Sequence, residues 1–300
     1  MSRTIQLAIV ACGVLAAAPA RAQLCHPVAD DDREVDDSDS DPEAMKGMHM
    51  EGMSDADMAA MHHAMHDAKP RRDPGALTAR ADLEVDVAQI DQGTYEGVVP
   101  SASLSWWRFD ARVAVPYYHL EYRGVITDGP GDVLLGASGA IVAQRHLRAG
   151  VALAVTAGTG NGNRGTGMGD TMYMPGAWAS WTRGAWGVTA SGSYGRMASL
   201  PSDGSGHHHA TGYVGSLVSP MNHEELAGAL RGTLRATRSL RVHALASIAT
   251  PIEIEGVTRA YAATGARWRS GDWEIGVEAA LPITGDPFHA RMSADVALSF

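Results

Sequence analysis

From Leu77 to Phe300 the chain reads as long runs in which apolar and polar residues alternate one for one. Leu77, Ala79, Ala81, Leu83, Val85 and Val87 share one parity, and Thr78, Arg80, Asp82, Glu84 and Asp86 share the other. Trp273, Ile275, Val277, Ala279, Leu281 and Ile283 alternate in the same way with Asp272, Glu274, Gly276 and Glu278. Met292, Ala294, Val296, Leu298 and Phe300 alternate with Arg291, Ser293, Asp295 and Ser299. A period of two puts successive side chains on opposite faces of a strand. Such strands build either a soluble sandwich or a membrane barrel, and length separates the two. Runs of roughly ten to fourteen residues exceed the usual five or six of soluble strands and match a tilted crossing of a bilayer.

Twelve such runs fall near 77–88, 94–107, 109–123, 132–145, 148–157, 171–182, 185–197, 223–236, 240–250, 257–269, 272–283 and 289–300. Short turns follow every second run, around Arg108, His146, Arg183, Arg238 and Gly271. Longer loops lie between them at 124–131, 158–170, 198–222 and 251–256, with modest connections at 89–93 and 284–288. Short periplasmic turns and longer outer loops are the pattern of outer-membrane barrels. The expected fold is therefore all-β, a closed antiparallel transmembrane barrel of about twelve strands over 77–300. Closure pairs the first strand with the last and leaves no open edge. The polar parity then faces the lumen: Arg80, Asp82, Glu84, Asp86, Asp110, Arg112, Arg231, Arg235, Arg241, Glu274, Glu278, Arg291 and Asp295. Trp106, Trp107, Tyr117, Tyr118, Trp178, Trp181, Trp268 and Trp273 near run ends suit an interfacial girdle. Pro116 inside the third run, where Val113, Val115 and Tyr117 give way to Tyr118, Leu120 and Tyr122, calls for a bulge.

The N-terminal quarter obeys different physics. Arg3, an apolar run from Ile5 to Ala18 and Ala20-Arg21-Ala22 form a signal peptide over 1–22, cleaved after Ala22. Cys12 leaves with it, and Cys25 stays alone, so no intramolecular disulfide can form. Residues 23–76 are expected to be a disordered periplasmic tail. Its first part is acidic, with nine acids and one base over 30–43, and has too little apolar surface to offset chain entropy. The bulk from 77 onward is nearly balanced, with twenty acids and seventeen bases. The net charge of −10 argues against a nucleic-acid partner.

The second part of the tail carries chemistry. Met45, Met48, Met50, Met53, Met58, Met61 and Met65 are half of the fourteen Met in the protein, with His49, His62, His63 and His66 among them. Thioether and imidazole donors suit Cu(I), with Cu(II) or Ag(I) as further candidates, and do not resemble hard oxygen sites. From Ser54, with Asp57 three residues on, a short capped helix would place Met58, Met61, His62, Met65 and His66 on one face. A Met-rich linker or partner helix is the competing reading, because Met is also an adaptable apolar residue.

Other motifs weigh less. Gly160, Gly162 and Gly165 match a dinucleotide fingerprint, but Gly167, Gly169 and Pro175 follow where a helix would be needed. Met168, Met172 and Met174 read as packing residues, although Met172 and Met174 share a face. His207, His208 and His209, with Met221 and His223 nearby, form either a second metal-capture loop or a solvated His run. His119, His146, His243 and His289 are single histidines in or beside strands, and no Ser lies in a nucleophile-elbow context, so no enzyme is expected.

Val115-Pro116-Tyr117, Gly129-Pro130-Gly131-Asp132-Val133-Leu134-Leu135-Gly136 and Gly167-Met168-Gly169-Asp170 resemble the outer-membrane family named for the meta-pathway of phenol degradation. That resemblance implies an outer-membrane channel or transporter over 77–300 and supplies no catalytic residues. The tail resembles the Met/His-rich N-terminal region of copper-resistance B proteins. Together these give an expectation of an outer-membrane barrel that binds, resists or transports copper through its periplasmic tail. The alternative is a passive channel for small organic, including aromatic, solutes. The expected partners are membrane lipid, the barrel assembly machinery, copper ions as cargo and periplasmic copper proteins.

Overall fold

The computed structural model describes residues 76–198, 222–252, 256–285 and 288–300. Its strands are β1 (Thr78–Ile90), β2 (Gly93–Trp106), β3 (Phe109–Ala114), β4 (Tyr117–Tyr122), β5 (Val125–Pro130), β6 (Val133–Ala143) and β7 (Leu147–Ala157). They continue as β8 (Met172–Arg183), β9 (Trp186–Met197), β10 (Glu224–Arg235), β11 (Leu240–Pro251), β12 (Arg259–Ser270), β13 (Trp273–Thr284) and β14 (Phe288–Ser299). Among the described residues the only helical piece is a single 3-10 turn at Gly162–Arg164. No described helix is long and apolar enough to cross a membrane, which says nothing about strands.

Every pairing is antiparallel between neighbours, and β1 pairs with both β2 and β14, so the sheet closes. The Phe300 N–H also donates to the Ala79 carbonyl at 2.8 Å across that seam. β3 and β4 both pair with β2 and form one stave of the wall; β5 and β6 form the next. Fourteen strands thus make twelve staves, the expected closed antiparallel barrel. Leu77 and Phe300 lie at one end, called here the terminal end; the longer connections lie at the other, the loop end.

The parity behaves as the sequence requires. In β1, Leu83 and Val85 are exposed on the outside, while Glu84 and Asp86 are buried inside. None of the thirteen charged residues assigned to the lumen is exposed.

Three expectations are corrected. The segment 124–131 is not a long loop: Arg123 and Gly124, with φ of 53° and 75°, form a two-residue turn into β5. Positive φ at both central positions matches the twist of a hairpin, and Gly adopts it without strain. Second, Pro116 causes no bulge in its own stave. Partner numbers along β2 stay in step from Ser101↔Ala114 to Val98↔Tyr117. The extra residue sits next door: from Tyr117↔Pro130 to Ala114↔Leu134 takes three steps on one stave and four on the other. The bulge therefore falls at Gly131 and Asp132. The parity at Pro116 does not slip; Tyr118 and Leu120 simply face inward.

Third, the girdle loses three members. Trp106, Trp107, Trp181, Trp268 and Trp273 are exposed near strand ends on the outer surface, while Tyr117 is exposed at mid-height, opposite Val98. Tyr118 and Trp178 are buried inside. Each lies an odd number of residues from an outward aromatic, so alternation turns it inward.

Candidate functional site: the barrel interior

The interior has two tiers. Towards the terminal end it is charged. Arg80 reaches Asp82 at 2.8 Å and Glu274 at 3.0 Å, and Arg267 donates to the same Glu274 oxygen at 2.8 Å. A second Arg267 nitrogen lies 3.5 Å from Asp295. Four staves are tied together by this one network. His243 Nε2 meets Glu278 at 2.5 Å, and Ser293 donates to Glu84 at 3.3 Å. A carboxylate between two guanidiniums is held without an unpaired charge, which a low-dielectric interior would penalise heavily.

Glycine makes these reaches across staves possible. His243 pairs with Gly265, which pairs with Glu278. A Cβ on Gly265 would lie 2.8 Å from His243 Nε2, so only glycine lets the imidazole pass over that position. Arg267, Gly276 and Asp295 repeat the row, and so do Asp86, Gly97 and Tyr118.

Towards the loop end the interior turns apolar and aromatic. Ile90, Tyr95, Leu120, Leu245, Tyr261 and Phe288 are buried in one cluster with Tyr118 and several Ala. Tyr95 and Tyr118 pack edge to face at 6.0 Å, and the Arg291 guanidinium lies 4.9 Å from the Phe288 ring. Sequence reading missed this belt. The signal was present on either side of Pro116, where the inward positions pass from Asp110 and Arg112 in β3 to Tyr118 and Leu120 in β4.

The segment 158–171 is clasped to the bulge. Asp132 accepts from the Gly160 N–H at 2.9 Å and the Met168 N–H at 2.6 Å through its two oxygens. Thr159 donates to the Gly131 carbonyl at 2.9 Å. The glycine motif at 160–165 thus forms a bound loop with no α-helix after it. Met168, Met172, Met174 and Met197 are buried together beside it with Ala154.

The tail residues Met45, Met48, His49, Met50, Met53, Met58, Met61, His62, His63, Met65 and His66 lie outside the described residues, as do His207, His208, His209 and Met221. The single histidines have separate partners: His119 with Asp128, His146 with the Thr182 carbonyl, His243 with Glu278 and His289 with Asp91. Among the described residues no group of three His, Cys, Asp or Glu side chains is placed to hold a metal.

The outer face is a broad apolar surface, with Leu104, Val113, Val151, Leu153, Leu230, Ile248, Ile275 and Leu281 among its exposed side chains. Aromatic residues gather at its terminal end: Trp106, Trp107, Phe109, Trp181, Trp186, Trp268 and Trp273. A closed wall, apolar outside and charged inside, is the solution a bilayer demands of a strand-built protein. The fold is one used by outer-membrane channels. An outer membrane channel from Pseudomonas putida F1 superposes with a TM-score of 0.56 at 14% identity, covering 75% of this chain and 96% of that one. The NanC porin gives 0.50 at 13% identity over 75% of this chain and 99% of its own. The KdgM porin gives 0.50 at 8% identity over 74% and 99%. No protein-family model and no curated protein matches the chain, so the two family resemblances rest on their short motifs.

Proposed function

We propose that this chain is an outer-membrane channel that handles copper, with the Met/His tail on the periplasmic side gathering the ion. The observation that carries the membrane and channel part is the sidedness of the wall: an aromatic-ended apolar surface outside and paired charges of both signs inside. Neighbours of the same fold that are channels and porins support that reading. The copper part rests on the donor chemistry of seven thioethers and four imidazoles in the tail. An even number of staves puts Leu77 and Phe300 at one end of the barrel. Membrane lipid, the barrel assembly machinery and periplasmic copper carriers are the partners this role requires.

A second reading is favoured by the belt of Tyr95, Tyr118, Leu120, Tyr261 and Phe288. An apolar, aromatic collar suits small organic solutes better than a hydrated ion. The experiment that separates them compares a deletion strain under copper stress and on aromatic carbon sources. Copper sensitivity restored by the whole chain, but not by one with all seven tail Met replaced by Leu, supports the first. A growth defect confined to aromatic carbon supports the second.

A further inference from the structure

We propose that Met168, Met172, Met174, Met197 and His223 form a binding site for a soft monovalent cation, of the Cu(I) or Ag(I) class, inside the loop end of the barrel. Met172 of β8 pairs in register with Met197 of β9. The Met197 N–H donates to the His223 carbonyl at 2.9 Å, extending by one residue the β9–β10 register that pairs Arg196 with Glu224. Met172, Met197 and His223 thus stand side by side on one face of three adjacent staves. Directly opposed residues of an antiparallel pair have Cβ atoms about 5 Å apart, within reach of one shared ion.

A second row lies beneath. Gly195 pairs with Glu225, and Met174 stands on the other side of that glycine. A Cβ on Gly195 would collide with the Met172 methyl and lie 3.3 Å from Glu225 Cγ and 3.4 Å from Met174 Cγ. Glycine here leaves the space into which the side chains converge. Met168 arrives from the clasped segment, its main chain pinned by Asp132 at 2.6 Å. The four Met are 0–7% exposed.

Packing alone accounts poorly for this set. The described residues contain five Met, and four of them meet here. Leu or Ile would fill an apolar gap with better-defined rotamers. His223 Nδ1 is buried and has no hydrogen-bond partner among the described residues. Leaving a buried polar atom unpaired is costly, and a bound cation gives that nitrogen a partner. Thioethers are neutral, so the ion keeps its charge; Asp132 and Glu225 border the site, the latter shared with Arg259 at 2.6 Å. A sulfur-dominated set selects against Mg(II), Ca(II) and, less sharply, Zn(II).

This inference takes the identity of its ion from the copper reading of the tail, and the test keeps the two apart. Mature full-length protein in detergent is titrated with Ag(I), all samples carrying Cys25→Ser to remove the competing thiol. One variant replaces Met168, Met172, Met174 and Met197 by Leu, and another replaces the seven tail Met by Leu. Leu for Met conserves volume, and heat-modifiable gel migration checks the barrel. The barrel variant is expected to lose a class of Ag(I) site that the tail variant keeps. His223→Gln should weaken that class about tenfold. Equal Ag(I) binding by the parent and the barrel variant overturns the proposal, whatever the tail does. Loss in the barrel variant with none in the tail variant leaves this site standing and removes the tail reading. Should the barrel variant fail to fold, X-ray absorption of silver bound to the tail variant decides: a sulfur shell supports the site, and a shell of only nitrogen and oxygen overturns it.

Discussion

His243 meets the carboxylate of Glu278 at 2.5 Å by passing over Gly265, two staves away from its partner. The side chains of these two residues are 6% and 17% exposed, so the pair sits inside the wall. The same device seats Asp295 beyond Gly276, opposite Arg267. Charges drawn away from bulk water on the inner face are paired with one another across the staves.

Ion selectivity should follow these pairs. Changing Glu274 and Glu278 to Gln removes two lumenal negative charges while Arg80, Arg267 and Arg291 remain. The reversal potential across a planar bilayer in a salt gradient should shift towards anions. Glu274→Ala should also lower stability by about 1–3 kcal/mol, because two half-buried guanidiniums lose their shared acceptor. An unchanged reversal potential would place the ion path away from this network.

The glycine rows should be intolerant in a position-specific way. Gly265→Val drives a side chain into His243 and the Val277 carbonyl and should cost about 1–3 kcal/mol. Gly232→Ala meets nothing within 4 Å and should stay within about 0.5 kcal/mol of the parent. The temperature at which the folded gel band converts to the unfolded one reads both.

Asp132→Ala should release the segment 158–171. Two main-chain N–H groups, of Gly160 and Met168, lose their acceptors, at about 1–3 kcal/mol each if they stay buried. Faster amide hydrogen exchange confined to 158–171 is the expected outcome. Unaltered protection there would mean that Thr159 and the glycine packing hold the segment without the carboxylate.

A peptide covering 44–68 should compete with a chromogenic chelator for Cu(I) and gain little affinity for Zn(II). Its Cu(II) binding should weaken as pH falls through about 6.5, because imidazole must be neutral to coordinate. Thioethers do not titrate, so Cu(I) binding should persist at lower pH. If the variant with all seven Met replaced by Leu binds Cu(I) as tightly, the tail is only a linker.

Residue order alone determined the inside and outside of nearly every strand. A period of two is a local property, and lipid outside against charge inside leaves one parity that works. It determined the number of staves and the turns at the terminal end for the same local reason. Pairing register was beyond it. Which of Arg80, Arg267, Asp295 and Glu274 would meet depends on side-by-side alignment of staves, and only the closed sheet sets that alignment. The bulge moved from Pro116 to Gly131 and Asp132 because an extra residue is visible only against a partner strand. The inward belt around Tyr118 and Leu120, and the meeting of Met172 with Met197 and His223, arise likewise from neighbours distant in sequence. Alternation says which way a side chain points; the closure of the barrel decides what stands beside it.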